Sequence, residues 1–234
     1  MKISALLISL LNCVLVTQAV KPKPPAITIE DVANGLVSTL EDSVFARAFQ
    51  PYDPVLLNAT TDVTLELSGN CGTTQVIYNI EHLTGLRVFM VDSVRAVGRS
   101  DTVSVDNNLI SFDGFFQVEI SFPQVLDADF TVQAMSDTCG VMEANTDLQT
   151  DATSTVILAI RGSGQSTDSL EINYLRFFEM DMYFQNLATN VLLDNIQLDA
   201  TDDILDLLDG SFNNYTVPEL IGTVEGWFGG KPKA

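Results

Sequence analysis

Between Thr28 and Phe49, Ile29, Val32, Ala33, Leu36, Leu40, Val44 and Ala48 recur at three- and four-residue spacing, which sets them on one stripe of a helix. Glu30, Asp31, Ser38, Glu41, Asp42 and Arg47 fall mostly on the other side. Thr28 and Asp31 form a capping pair, although Glu or Gln is the usual partner. Pro51 and Pro54 end the helix, since proline has no N–H to donate and clashes with the preceding turn. A stripe this wide must be buried against another layer.

The period then falls to two. Val63, Leu65 and Leu67 alternate with Thr64, Glu66 and Ser68, and Asn70-Cys71-Gly72 turns the chain into Val76, Tyr78 and Ile80. Leu83 to Val97 reads as a strand with a bulge at Val91–Asp92, followed by a turn at Gly98–Thr102. Phe116, Val118, Ile120 and Phe122 face one way until Pro123 breaks the strand. Leu126, Ala128, Phe130, Val132 and Ala134 make the next strand, and Val141 to Leu148 a weaker one. Val156, Leu158 and Ile160 lead to Gly162-Ser163-Gly164, read as a hairpin turn. Leu170, Ile172 and Tyr174 open the last strand, and Phe178, Met180, Met182 and Phe184 share a face after a change of phase near Leu175.

Helical spacing returns at the end. Ile204, Leu205, Leu207 and Leu208 sit among aspartates, with a cap near Thr201 and Gly210 as the stop. Val217, Leu220, Ile221, Val224 and Phe228 predict a second short helix. The order of elements gives an α+β domain: a long N-terminal helix, a sheet of antiparallel strands over it, and short C-terminal helices.

Residues 1–19 read as an export signal: Lys2, an apolar run from Ile3 to Val16, and small residues at the expected cut. Residues 20–27 are a proline-rich leader, 28–228 one domain, and 229–234 a flexible tail. The full chain of 234 residues has 11 basic and 31 acidic side chains, a net charge of −20. Loss of Lys2 with the signal makes the mature chain one unit more acidic. Such a charge repels nucleic acid, lipopolysaccharide and anionic membranes. No segment after the signal is apolar enough to span a bilayer. The expected location is extracellular.

Cys13 leaves with the signal, so Cys71 and Cys139 remain and form one disulfide in an oxidising compartment. Asn58-Ala59-Thr60 and Asn214-Tyr215-Thr216 are N-glycan acceptor motifs.

Catalytic parts are scarce. His82 is the one histidine, and there is no nucleophile elbow, phosphate loop or zinc-ligand spacing. Asp194, Asp199, Asp202, Asp203, Asp206 and Asp209 read as a solvated acidic face, since the EF-hand spacing is missing. No catalytic site, metal or cofactor is expected. The apolar inventory says more: 13 phenylalanines against one tryptophan, with Met180, Met182 and Phe184 together, make an interior that could adapt to a guest.

The layout resembles a known family. Gln50-Pro51-Tyr52-Asp53-Pro54-Val55-Leu56-Leu57 follows the helix, Ile80-Glu81-His82-Leu83-Thr84-Gly85-Leu86 leads towards a long strand, and Leu175 to Met182 hands over to C-terminal helices. This resembles the tubular lipid-binding fold of arthropod takeout and juvenile-hormone-binding proteins, and most closely the group 7 mite allergens. The resemblance implies a super-roll, a strongly curved antiparallel sheet wrapped around the long helix, with an apolar pocket for lipids, fatty acids or terpenoids. It places Leu36, Leu40 and Val44 on the helix side of that pocket, and Phe116, Val118, Ile120, Phe122, Phe130, Val132, Met180, Met182 and Phe184 on the sheet side. The expected function is therefore a secreted carrier or sensor of a small hydrophobic ligand. The alternative is a secreted, non-enzymatic interaction protein with a filled core and an acidic partner-binding surface.

Overall fold

The computed structural model describes residues 26–67, 71–189 and 200–228; of these, the side chains of 43–46, 67, 99–101 and 189 are not described. The expected signal, most of the leader and the tail lie outside the described residues.

Helix α1 (Ile29–Thr39) begins at the expected cap. Thr28 Oγ1 accepts the Asp31 N–H at 3.2 Å, and Asp31 Oδ2 accepts the Thr28 N–H at 2.7 Å, so aspartate closes the box as glutamate would. The Thr28 N–H, and then its hydroxyl, hold the Asp31 carboxyl below its usual value. The helix widens to π geometry over Leu40–Phe45, returns to α in α2 (Ala46–Phe49), and tightens to 3-10 over Gln50–Tyr52. Pro51 sits inside that last turn, and the helical path ends before Asp53.

Seven antiparallel strands follow: β1 (Val55–Leu67), β2 (Gly72–Thr84), β3 (Met90–Asp106), β4 (Leu109–Ser121), β5 (Leu126–Ser136), β6 (Gly140–Gly164) and β7 (Leu170–Thr189). The long β6 is the spine. Its Gly140–Thr150 half pairs with β5 and its Thr153–Gly164 half with β4. Across its other edge it pairs with β7. Strands β4 and β5 therefore lie end to end along one edge of β6, separated by the break at Pro123. Beyond them, β3 flanks β4, while β2 and then β1 flank β5. Each strand buries alternate residues on the concave face of this strongly curved sheet.

Several expected boundaries move. Strand β3 does not turn at Gly98–Thr102; it bulges there and continues to Asp106. The chain reverses at Asn107 (φ 50°) and Asn108 (φ 66°), the two left-handed positions of a tight hairpin, which asparagine tolerates. Asp92 makes the expected bulge between Val91 and Ser93. Gly162-Ser163-Gly164 is the end of β6 and not a turn. A Cβ on Gly162 would stand 2.3 Å from the Glu171 carbonyl oxygen and 2.5 Å from the Phe112 ring, so glycine is needed for close approach.

The weak strand before Leu148 and the strong one after it are both parts of β6. The phase change in β7 occurs in two steps, at Asn173 and at Phe178. Leu175 and Phe177 consequently point inward with Met180, while Phe178, expected inward, is 53% exposed and packs its ring 5.2 Å from that of Phe115.

The expected pair of short C-terminal helices is one continuous rod: α3 (Thr201–Ser211), a π segment (Phe212–Thr216) and α4 (Val217–Phe228). Thr201 is its first helical residue, with Ala200 before it and no side-chain cap. Gly210 does not stop it. The Val217 N–H reaches back to the Phe212 carbonyl. The wider turn makes room for Pro218, which lacks an N–H and would crowd the carbonyl four residues back.

The two helical elements divide the concavity. Helix α1 lies against β3, β4 and β7, while the C-terminal rod lies against β1 and β7, and α4 meets α2 at its far end. Each half of the curved sheet is thus bridged between its outer strands by one rod. The α1 contact is intimate: a Cβ on Gly35 would sit 2.0 Å from the Thr167 carbonyl oxygen, and the Thr39 hydroxyl donates to the Leu170 carbonyl at 3.3 Å.

Cys71 and Cys139 are bonded, with Cα atoms 5.2 Å apart. They tie the tip before β2 to the β5–β6 tip. The Ser136 hydroxyl supports the junction, donating to the Cys71 carbonyl at 2.7 Å and accepting the Thr138 and Cys139 N–H groups.

Candidate apolar binding site

The concave interior collects the candidate residues. Leu36, Leu40, Phe116, Val118, Ile120, Phe122, Phe130, Val132, Met180, Met182 and Phe184 are all buried there. The Val44 side chain lies outside the described residues. Leu36, Leu40, Phe116, Val118, Val132 and Met182 have no exposed surface at all, so no water-sized void borders them.

The candidates belong to two groups. Leu36 and Leu40 are buried on the first helix, which lies mainly against β3 and also meets β4 and β7. Strand β7, which carries Met180, Met182 and Phe184, is covered further along by the C-terminal rod, where the Phe184 and Phe212 rings meet edge to face at 5.8 Å. Sequence spacing set these residues opposite one helix; the rod that covers Phe184 was missed as a wall because glycines and a proline interrupt its pattern.

Among the described residues the main helix contacts fall on β1, β3, β4 and β7 rather than on β2 or β5. Tyr78 on β2 and Phe130 on β5 stack with centroids 5.4 Å apart and planes at 16°, and both are essentially buried. At one end Phe49 closes the interior against Phe89 and Phe122, with centroids 5.6 and 5.8 Å away. Aromatic rings and methionines thus make up much of the buried interior, and methionine adapts to irregular apolar shapes.

Polar groups at the rim hold the rod. On the β7 edge away from β6, Asp209 Oδ1 accepts the Phe184 N–H at 2.7 Å, Asn213 Oδ1 accepts the Met182 N–H at 3.0 Å, and Glu225 accepts the Phe177 N–H at 3.1 Å. Asn213 Nδ2 also donates to the Met182 carbonyl at 3.1 Å. Burial pushes the Asp209 carboxyl above its usual value; the Phe184 N–H opposes this and the Asp206 charge adds to it.

His82 has no part in the interior. Its Nδ1 stands 3.2 Å from Asp129 Oδ2, and both side chains are well exposed. Asp202, Asp203 and Asp206 are exposed on α3, while Asp194 and Asp199 lie outside the described residues. No group of three or more metal-ligating side chains occurs among the described residues, and no described helix is long and apolar enough to cross a membrane.

No protein-family profile and no curated protein sequence matches the chain. Its structure is similar to the crystal structure of lipopolysaccharide-binding protein, with a TM-score of 0.47 and 11% identity, over 85% of this chain and 40% of that one. It is also similar to Takeout 1 of Epiphyas postvittana, with a TM-score of 0.32 and 11% identity, over 86% of this chain and 93% of that one. The chain thus spans less than half the length of the lipopolysaccharide-binding protein. Neither of these two structures is a mite allergen, and the curved antiparallel sheet with a helix before it and helices after it is the α+β arrangement expected from the sequence.

Proposed function

We propose that this protein is an extracellular, non-catalytic carrier or sensor of a small hydrophobic ligand, held between the helical rods and the sheet. The observation that supports it is the interior itself: Leu36 and Leu40 from the first helix and Tyr78, Phe130, Met180 and Met182 from the sheet are buried in one apolar cluster that two helical rods cover. A guest would replace side-chain contacts there and remove its own apolar surface from water, at roughly 25 cal/mol per Å². With 31 acidic residues against 11 basic ones, a neutral lipid, alcohol or terpenoid suits the protein better than an anion. The exposed Asn58 and Asn214 are read as glycan acceptors, which enzymatic deglycosylation followed by mass measurement would test.

The test of the carrier reading is native mass spectrometry of protein from its own host, followed by thermal unfolding with a panel of neutral lipids and terpenoids. A copurified ligand, or stabilisation of about 2.7 kcal/mol at a hundred times Kd, is expected. The complete burial of Leu36, Phe116 and Met182 favours a second reading, an interaction protein with a solid core and an acidic docking face. Absence of any retained or stabilising ligand across the panel selects it over the carrier.

A further inference from the structure

The two rods are attached by different chemistry. Helix α1 is locked in by a backbone approach that admits no Cβ at Gly35, by its stripe of fully buried side chains, and by a capped start. The C-terminal rod also buries Ile204, Leu208, Phe212, Leu220 and Val224, but its register on β7 is set by polar side chains. Asp209 and Asn213, one turn apart, and Glu225, near the far end of the rod, reach backbone groups on the β7 edge. Water can replace each of these bonds with little net cost, which is why an intramolecular hydrogen bond contributes far less than its strength in vacuum. Three of the rod's glycines, Gly210, Gly222 and Gly226, have nothing closer than 4.0 Å to a built Cβ, so none marks a tight backbone contact.

Resting on the carrier reading, we propose that the C-terminal rod is the movable wall of the apolar interior. A ligand gains access along β7, against Met180, Met182 and Phe184, as the bonds from Asp209, Asn213 and Glu225 release. The rod bridges β1 and β7, so its displacement opens a slot between two outer strands without breaking any sheet ladder. The face it uncovers includes two methionines, which adapt to chains of varied shape. Helix α1 stays in place and acts as the fixed wall.

The amides of Met182 and Phe184 report directly on this motion, because their acceptors are side chains of the rod. The experiment combines hydrogen exchange at these amides with stopped-flow uptake of Nile red, a neutral dye that brightens in apolar surroundings. Asn213→Ala removes both bonds to Met182, and Glu225→Ala removes the bond to Phe177. Each is expected to accelerate dye uptake about fivefold or more, as loss of a hydrogen bond at the barrier would. Asn213→Ala is also expected to accelerate exchange at Met182. Thr39→Val, which removes the α1 bond to Leu170, is the control and should leave uptake unchanged. Faster exchange in Asn213→Ala with unchanged uptake overturns the proposal while leaving the carrier reading intact. Failure of every variant and the native protein to take up dye, with exchange behaving as expected, overturns the carrier reading and the access route built on it.

Discussion

Asp53 Oδ1 accepts the Gly85 N–H at 3.1 Å, and its other oxygen accepts the Arg87 N–H at the same distance. The side chain is 4% exposed, and Arg87 Nε lies 3.5 Å away. The carboxylate thus joins the chain leaving the first helix to the loop between β2 and β3. In the sequence these were separate points of resemblance, Asp53-Pro54 and Leu83-Thr84-Gly85-Leu86; in the structure they form one clamp. It also explains why β2 stops at Thr84, where a continuous run from Leu83 to Val97 was expected. The two amides bond to Asp53 instead of a neighbouring strand.

Asp53→Ala leaves two amides near a buried position without their acceptor. Hydrogen bonds to a charged group contribute about 1.5–3 kcal/mol each, so a loss of about 3 kcal/mol is expected in urea denaturation. Asp53→Asn, which keeps one acceptor, should lose less. Equal stability of Asp53→Ala and the native protein would show that the clamp is not needed.

Gly35→Ala sets two effects against each other. In an exposed helix interior the change gains about 1 kcal/mol. Here the new Cβ would lie 2.0 Å from the Thr167 carbonyl oxygen, and both partners are backbone, so α1 must shift off the sheet. Overpacking of this kind costs about 1–3 kcal/mol, and net destabilisation is expected by thermal unfolding. A stabilised variant would contradict the close approach of α1 to the β6–β7 turn.

The Asp209 carboxyl has a definite linkage sign. Burial raises its folded value above the ordinary 3.8, so the folded chain binds this proton more tightly than the unfolded chain. Its contribution is full below 3.8 and is lost as pH rises through the raised folded value. Asp209→Asn keeps an oxygen for the Phe184 N–H and removes the titration. Urea denaturation across that interval should show a flatter pH profile for the variant and no loss at neutral pH. An unchanged profile would assign the slope to other groups. Asp31 has the opposite sign: its lowered carboxyl favours folding above 3.8, and that contribution is lost as pH falls through the lowered value.

The Cys71–Cys139 bond spans 68 residues, and the chain-entropy account assigns such a loop about 4 kcal/mol. Cys139→Ser should fall by an amount of that order in chemical denaturation. Non-reducing peptide mapping of the native protein should recover one linked pair; two free thiols would remove the tie between the hairpin tips.

The legible features were those with a local cause. The Thr28–Asp31 cap, the alternation from Phe116 to Phe122 and the bulge at Asp92 all follow from spacing within a few residues. The errors share another origin. Gly162 and Gly164 look like a turn until Phe112 and Glu171 approach them from other strands. Strand β6 looks like two strands because its first half faces inward with Met142, Ala144 and Thr146, which are only half-buried. The C-terminal rod looks broken because the π segment that accommodates Pro218 leaves no signature in hydropathy. Period-two spacing brought Phe116, Val118, Met180 and Met182 into the interior but not Phe178, and which wall covers which strand is a property of the whole sheet.

Strand β6 serves two partners on one edge and β7 on the other, so its numbering is committed in three registers at once. An insertion of a single residue near Thr150 would put the half of β6 that pairs with β5 out of phase with the half that pairs with β4 and β7, turning one half's side chains to the opposite face. The same insertion at Gln124, between the collinear strands, would only lengthen a loop. Among natural variants of this chain, length differences should therefore gather at Pro123–Val125 and be missing from the middle of β6.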